Sequence, residues 1–408
     1  MERRERGRAE IICTGSELLG GKLNLYVPLF HERLAPLGFS IRREQSPGDR
    51  LEEIRDCVAG ALRRSDLVLV CGGLGPTFDD LTRQAAAAAL GRGLFHSRDC
   101  ERILSFNYGL AKLTPDFRNQ CLLVEGAKAL ENANGTAFGE VLTRGRRMLA
   151  LLPGPRAEWE PMFAGFLEKE IRAFFRLPPL RQVKLRTAGL GETEAEAMLK
   201  PVMRAFPGLS FTILAGPGTV DFLIYGDDGK GALARAEAAC RRALRGAIYG
   251  SGEETLSSAA GKALKAAGRT AACAESCTGG LAAKLLTDVP GSSDWFLGGV
   301  TAYSNGAKTE LLGVKPATLK GHGAVSAACA REMAEGARKV FGSDYAFSVT
   351  GIAGPAGGTP RKPVGLVYFG LTSQAGTRVF RRRFRGGRAG VRERAACFIL
   401  DALRKFVK

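Results

Sequence analysis

The sequence predicts an α/β protein, and three observations carry that prediction. Short apolar runs alternate with stretches whose apolar residues recur three and four apart, and Gly-rich turns close many of the runs. Near residue 171 the alternation gives way to a smaller strand-and-helix pattern, and near 253 it resumes. A chain of 408 residues exceeds one ordinary domain. The expected parts are an α/β domain over 1–170, a small α+β module over 171–252 and a second α/β domain over 253–408.

In the first part, "AEIICTG" reads as a strand, "YVPLFHERLAPLG" as a helix ending at Gly38, and "FSIRREQSPGD" as a strand into a turn. "RLEEIRDCVAGALRRS" is an amphipathic helix, "DLVLVCGG" a buried strand, and "DLTRQAAAAALG" a helix closed by Gly91. Strands alternating with such helices predict βαβ units and a parallel sheet. "RMLALLPGPRAEWEPMF" adds a strand, a turn and a helix. The middle module reads strand, helix, strand, strand, helix, and "YGSGEETLSS" reads as a Gly-rich boundary with a helix cap. The last part reads helix, "RTAACAES" strand, helix, "GGVTAYS" strand and helices. Three strands follow, "DYAFSVTG", "VGLVYFGLTS" and "TRVFRRRF", and then a final helix.

Composition narrows the function classes. Hydrophobic residues make up 45% of the chain, enough for real cores, yet no run of about 18 uncharged apolar residues offers a membrane span. The basic start "MERRERGRAEIICTG" leads into a first strand, not a secretory signal. Ten cysteines lie scattered with no C-x-x-C pair, and only three histidines exist, which fits reduced thiols in a cytoplasm. The net charge of +18 favours polyanions or phosphorylated small molecules, or else reflects simple Arg enrichment. Its densest segment, "RVFRRRFRGGRAGVRER", alternates Arg with Val and Phe like an exposed strand before a helix start. That segment reads mainly as solvated surface, with one or two arginines serving a site. No zinc-finger, RNP or helix-turn-helix pattern supports nucleic-acid binding.

"RTAACAESCTGGLAAKLLTD" carries the chemistry. Ser276 stands where an apolar strand ends and a helix begins, and Thr278, Gly279 and Gly280 follow. Backbone amides at such a helix start can face an anion, either a phosphate or the oxyanion of acyl transfer. The plainer reading is that Ser276 or Thr278 caps the helix. A serine nucleophile needs a base. His31 and His96 belong to another domain, and His322 lies in a loop. A lysine of lowered pKa can replace histidine. Lys308 in "AYSNGAKTELL" is the candidate, with Tyr303 placed to relay a proton and Ser304-Asn305 as a helix cap. Read plainly, Lys308 is an exposed helical lysine and Tyr303 a packed aromatic. Cys277 is a rival nucleophile or a buried structural thiol. "SVTGIAGPAGGTPRKPVG", with Thr350, Gly351 and Gly354, lacks P-loop spacing but offers successive amides at a strand end.

These strings together resemble the CinA family, competence/damage-inducible protein A, over nearly the whole chain. The last part matches through "AESCTGG", "DVPGSS", "YSNGAK", "GAVS" and "VTGIAGPAGGTPRKPVG"; the first matches through "GSELLGG", "CGGLGPTFDDLT" and "LPGPRAEWEPMF". The resemblance implies a C-terminal nicotinamide-nucleotide amidase that converts nicotinamide mononucleotide to nicotinic acid mononucleotide and ammonia without a cofactor. It implies Ser276 as nucleophile, Tyr303 and Lys308 as its activators, and Thr350 on the reacting carboxamide. Thr278, Gly279, Gly280, Asn305, Gly351, Gly354 and Arg388 would bind substrate. It further implies a homodimer and an N-terminal MoaB/MogA-like fold, which in family members hydrolyses ADP-ribose with a divalent metal such as cobalt or magnesium. Asp79, Asp80 and Glu17 are the carboxylates in motif position; by themselves Asp79 and Asp80 also read as helix N-caps.

The first part departs from the family pattern. Leu25, Tyr26 and Val27 replace an asparagine-bearing segment, Phe78 a histidine and Phe138 a proline. The expectation is a degenerate pyrophosphatase pocket. Two other classes stay open. One is a nucleic-acid-associated competence protein without turnover, which would bind with a steep salt dependence. The other is a Rossmann oxidoreductase, for which "CGGLGPTFDD" lacks the third glycine of the fingerprint.

Overall fold

Strand Leu67–Cys71 is buried at every residue, as its all-apolar sequence demands of a strand covered on both faces. It lies inside a six-stranded sheet of the computed structural model, which describes residues 7–109, 113–178, 181–226 and 231–407. The chain divides into two compact units, Met1–Arg181 and Gln182–Lys408.

In the first unit, strands Phe39–Gln45, Gly7–Cys13, Leu67–Cys71 and Arg147–Leu152 run parallel in that spatial order. The expected all-parallel sheet is corrected at its other edge, where Gly139–Arg144 and Lys128–Leu130 are antiparallel. Arg144 pairs directly with Arg147, so only Gly145 and Arg146 join the two strands, too few for a crossover. Helices cover both faces and form two separate cores. Helix Glu168–Phe175 buries Ile171 in the same core as Ile11 and Phe30. The boundary expected at 170 therefore falls inside an element of the first unit, which continues to Arg181.

The second unit begins with a four-stranded sheet in the order Ser210–Gly216, Thr219–Gly226, Arg181–Ala188, Ile248–Ser251, packed under helices Glu192–Ala205 and Ala232–Ala243. The expected boundary loop around Gly250 is thus strand Ile248–Ser251, antiparallel to Arg181–Ala188. Ala188 and Tyr249 also join the core of the following domain, which is why module and domain cohere as one unit.

The last domain has a five-stranded sheet in the order Phe296–Thr301, Ala271–Glu275, Tyr345–Gly351, Leu366–Ser373, Gly376–Arg383. The first three strands are parallel, and the last two are added antiparallel. Alternation divides the strand Ala271–Glu275. Ala271 and Cys273 face helices Leu256–Ala266 and Arg388–Phe406, while Ala272 and Ala274 face helix Ala327–Phe341. Glu275 pairs in register with Val349, so the carboxyl ends of two parallel strands lie side by side where the strand order reverses direction. Open α/β sheets bind ligands at such a point. Among the described residues, no helix is long and apolar enough to cross a membrane.

Candidate active site

Ser276 leaves its strand with its N–H still donated to Val349 O at 2.9 Å, which holds it at the sheet edge. The helix does not start at once. Cys277–Gly280 make a turn, Gly279 N–H donating to Ser276 O at 3.0 Å, and the helix spans Leu281–Thr287. Gly279 and Gly280 have φ of 61° and 87°, a left-handed pair that a side chain would strain. The amides that open the helix are already taken: buried Glu275 accepts from Ala282 at 3.2 Å and from Ala283 at 2.7 Å. The sequence reading that these amides face a ligand is therefore corrected. A carboxylate of the chain itself satisfies the orphan donors and the positive end of the dipole. Thr278, Gly279 and Gly280 stand outside the cavity that Ser276 lines. The carbonyl of Thr278 is clamped by Arg392, whose Nε and Nη2 donate at 3.2 and 2.8 Å.

Lys308 lies in the first turn of helix Asn305–Leu312, whose cap is Ser304 Oγ accepting from Ala307 N at 3.1 Å. Its side chain points inward and is 1% exposed, so the exposed-lysine reading is set aside. Nζ reaches Ser276 Oγ at 3.1 Å, Ala302 O at 2.8 Å and Tyr303 O at 3.2 Å. No carboxylate pairs with it among the described residues, and loss of hydration drives its pKa below the ordinary lysine value. A neutral amine fits these partners well. In that form its two N–H bonds would go to the carbonyls and its lone pair would face the serine hydroxyl, whereas the ammonium form donates to all three.

Tyr303 enters differently from the sequence reading. Its ring is 61% exposed, and its hydroxyl accepts from Arg388 Nη2 at 3.1 Å. Lys308 meets the main-chain oxygen of Tyr303, not the phenol. Arg388 also donates through Nη1 to Gly354 O at 2.9 Å, tying the Gly-rich loop to Tyr303. Ser276, Lys308, Tyr303, Asn305, Thr350 and Arg388 line one cavity of about 280 Å³, with Gly351 and Gly354 on its loop side. Thr350 donates its hydroxyl to Ala324 O at 2.8 Å. The N–H groups of Gly354, Ala356 and Gly357 meet no backbone carbonyl among the described residues.

The rivals for the chemistry fall away. Burial pushes the Cys277 thiol up to about 12, so it holds its proton at neutral pH. His322 ends helix Pro316–His322, outside the cavity, and His31 and His96 belong to the first unit. Sequence reasoning missed Glu275 and Arg392. Arg392 was findable, since it stands one helical turn after Arg388. Glu275 was not, because its partners lie beyond a turn whose length the sequence did not reveal.

In the first unit, Glu17, Asp79 and Asp80 line a cavity of about 470 Å³ beside the Gly72–Pro76 loop. Yet no three His, Cys, Asp or Glu side chains gather closely enough to hold a metal ion among the described residues. Asp80 accepts from Thr77 N at 2.8 Å, the Thr77 hydroxyl bonds both aspartates, and Glu17 pairs with Lys22 at 3.4 Å. These residues do not fit the implied divalent metal. Helix Thr82–Leu90 has Leu81 as its cap, so neither aspartate caps it. The idea of three apolar replacements around one pocket is also corrected. Tyr26 lines the cavity, but Phe78 is 94% exposed and Phe138 is buried in a separate core.

Residues 253–407 match the CinA C-terminal domain, and residues 10–173 match the probable molybdopterin binding domain. A CinA-like protein of Endomicrobium trichonymphae is 39% identical over 423 residues, covering 98% of each chain. One from Kosmotoga olearia is 39% identical over 406 residues, again covering 98% of each. Among solved structures, the competence/damage inducible protein CihA from Agrobacterium tumefaciens is 40% identical. The match covers 36% of this chain and 93% of that one, with a TM-score of 0.35.

Proposed function

The chain belongs to the CinA family, and on that premise we propose that its last domain hydrolyses the carboxamide of nicotinamide mononucleotide to nicotinic acid mononucleotide and ammonia. One observation carries the reading: a buried lysine with no carboxylate partner among the described residues stands 3.1 Å from the hydroxyl of Ser276 in an open cavity. Burial favours the neutral amine, which is the form able to take a proton.

The steps balance. As Ser276 Oγ attacks the carboxamide carbon, its proton passes to Lys308 Nζ, and a tetrahedral oxyanion forms. The carbon–nitrogen bond then breaks while Lys308 returns the proton to the departing nitrogen, releasing ammonia and leaving an acyl-serine. Water attacks the ester with its proton passing to Lys308, and Ser276 leaves with that proton, freeing the carboxylic acid. The carbonyls of Ala302 and Tyr303 hold the amine through each transfer and stabilise its ammonium form when it carries the extra proton. Arg388, fixed between Gly354 and Tyr303, supplies positive charge for the nucleotide's phosphate. The first unit, with its carboxylates engaged by Thr77 and Lys22, does not hydrolyse ADP-ribose in this reading.

The test is ammonia release from nicotinamide mononucleotide by the full chain and by Ser276→Ala, with and without chelator. The expected result is turnover by the parent, indifferent to chelator, and none by the variant at unchanged Tm. Turnover by Ser276→Ala at the parent rate ends the proposal.

A further inference from the structure

The most arginine-rich segment of the chain is only partly used by the amidase reading. Arg378, Phe380, Arg382 and Phe384 alternate along strand Gly376–Arg383 and the residue after it, so they share one face of the sheet edge. That face, with the last turns of helix Arg388–Phe406, lines a cavity of about 540 Å³, larger than the one at Ser276. Among the described residues it is lined by no serine, histidine or lysine–hydroxyl pair, and burial pushes its one thiol, Cys397, up to about 11, which suits binding rather than a second reaction centre. We propose that this cavity binds a small aromatic anion of the nucleoside monophosphate class.

Its apolar wall consists of Phe380, Phe384, Phe398, Phe406 and Leu190. These rings are half-buried, Phe380 and Phe384 packing on Phe398, and the aromatic area they leave to the cavity suits a flat ring, because stacking on phenyl faces and edges adds to simple burial. The charges select an anion. The guanidinium of Arg382 lies 4.8 Å from the Phe398 ring centre and that of Arg378 lies 5.3 Å from that of Phe406. Stacking uses the face of a guanidinium and leaves in-plane N–H donors for a phosphate, apart from Arg382 Nη1, which donates to Arg381 O at 2.9 Å. Arg394 is steadied by the Arg385 carbonyl at 3.1 Å. No carboxylate pairs with Arg378, Arg382 or Arg394 among the described residues. The cavity's one acid, Asp401, is neutralised by Arg404 at 2.8 Å and Lys405 at 2.7 Å, so it does not repel an anion.

Size and enclosure favour a small molecule over a nucleic-acid strand. The volume falls within the range of about 300–1,000 Å³ usual for small-ligand sites. One side is closed by the middle module through Leu190 and Gly218. Gly218, at φ of 84°, presses the hairpin tip onto the helix so closely that a Cβ there would lie 2.9 Å from Cys397 Cβ. That contact gives the small module a purpose the amidase chemistry does not supply: it walls the pocket.

The test is calorimetric titration of the full chain with AMP, adenosine, inorganic phosphate and an oligothymidylate. AMP should bind with Kd below about 1 mM, and adenosine and phosphate should each bind at least about tenfold more weakly, since each offers half the recognition. The double variant Arg378→Gln, Arg382→Gln keeps both exposed stems while removing their charge. It should weaken AMP by at least about tenfold at unchanged Tm. Parent affinity in the double variant overturns the proposal, as does absence of AMP binding. Arginine-dependent binding of the oligothymidylate without AMP binding assigns the face to nucleic acid instead and also overturns it.

Discussion

Replacing Lys308 by methionine tests the proposed chemistry most directly, because the methionine fills nearly the same space while removing the amine. In the parent, Nζ bonds Ser276 Oγ and the carbonyls of Ala302 and Tyr303. Losing a positioned general base costs about 10²–10⁴ in rate, or about 3–5 kcal/mol of transition-state stabilisation. The loss should fall on kcat, with KM for nicotinamide mononucleotide little changed, since Arg388 and the loop amides remain. Two carbonyls lose a donor, at about 1–3 kcal/mol each, but the cost of burying an amine also disappears, so net destabilisation should stay near about 1–3 kcal/mol. The pH dependence has a defined sign. Burial lowers the Lys308 pKa, so activity should be lost as pH falls through that lowered value and should plateau above it. Between it and the unfolded value of about 10.4, the unfolded chain binds more protons at this residue, so the Tm of the parent relative to the methionine variant should rise with pH across that window, whatever the buried thiols add to both. The methionine variant should lack the acid limb of activity. A coupled ammonia assay and thermal melts from neutral pH to about pH 10.5 read both effects. Turnover within about threefold of the parent, or an acid limb that survives in the variant, would refute the lysine-base mechanism.

Three further outcomes are expected. Cys277→Ala should keep turnover within about threefold, and iodoacetamide should not label Cys277 in the folded chain near neutral pH, because burial holds its thiol up at about 12; a loss matching that of Ser276→Ala would reassign the nucleophile. Glu275→Gln leaves one oxygen where two now accept from Ala282 and Ala283, and should cost about 1–2 kcal/mol, seen as a fall in Tm; an unchanged Tm would show that the cap does not hold the turn behind Ser276. The full chain with cobalt or magnesium should release no AMP from ADP-ribose, since Asp79, Asp80 and Glu17 form no metal cluster; metal-dependent AMP release above background by chromatography would contradict that.

The elements of the fold were legible because their signals are local. Alternating apolar runs, the three-and-four spacing of Leu51–Arg64, and glycines such as Gly38 and Gly91 depend only on near neighbours in the chain. The antiparallel edge of the first sheet was not legible, because strand direction follows from connection length, and the hairpin at Gly145 was not recognised. The exact edges of the middle module were less legible for a related reason. Ile171, Ala188 and Tyr249 are apolar residues whose allegiance to one core or another depends on what lies across from them.

The candidate site divides along the same line. The sequence alone identified Ser276, Lys308 and Thr350 as chemically able residues at strand ends and helix starts, since side-chain type and local element suffice for that; Arg388 came only through the family resemblance. Tertiary structure alone decided which atoms meet. Burial of Lys308 converts a surface cation into a candidate base, and the Cys277–Gly280 turn hands the helix amides to Glu275 instead of a ligand. Hydration and hydrogen-bond partners set a group's proton affinity, and both come from residues far away in the chain, as Ala302 and Ser276 do for Lys308.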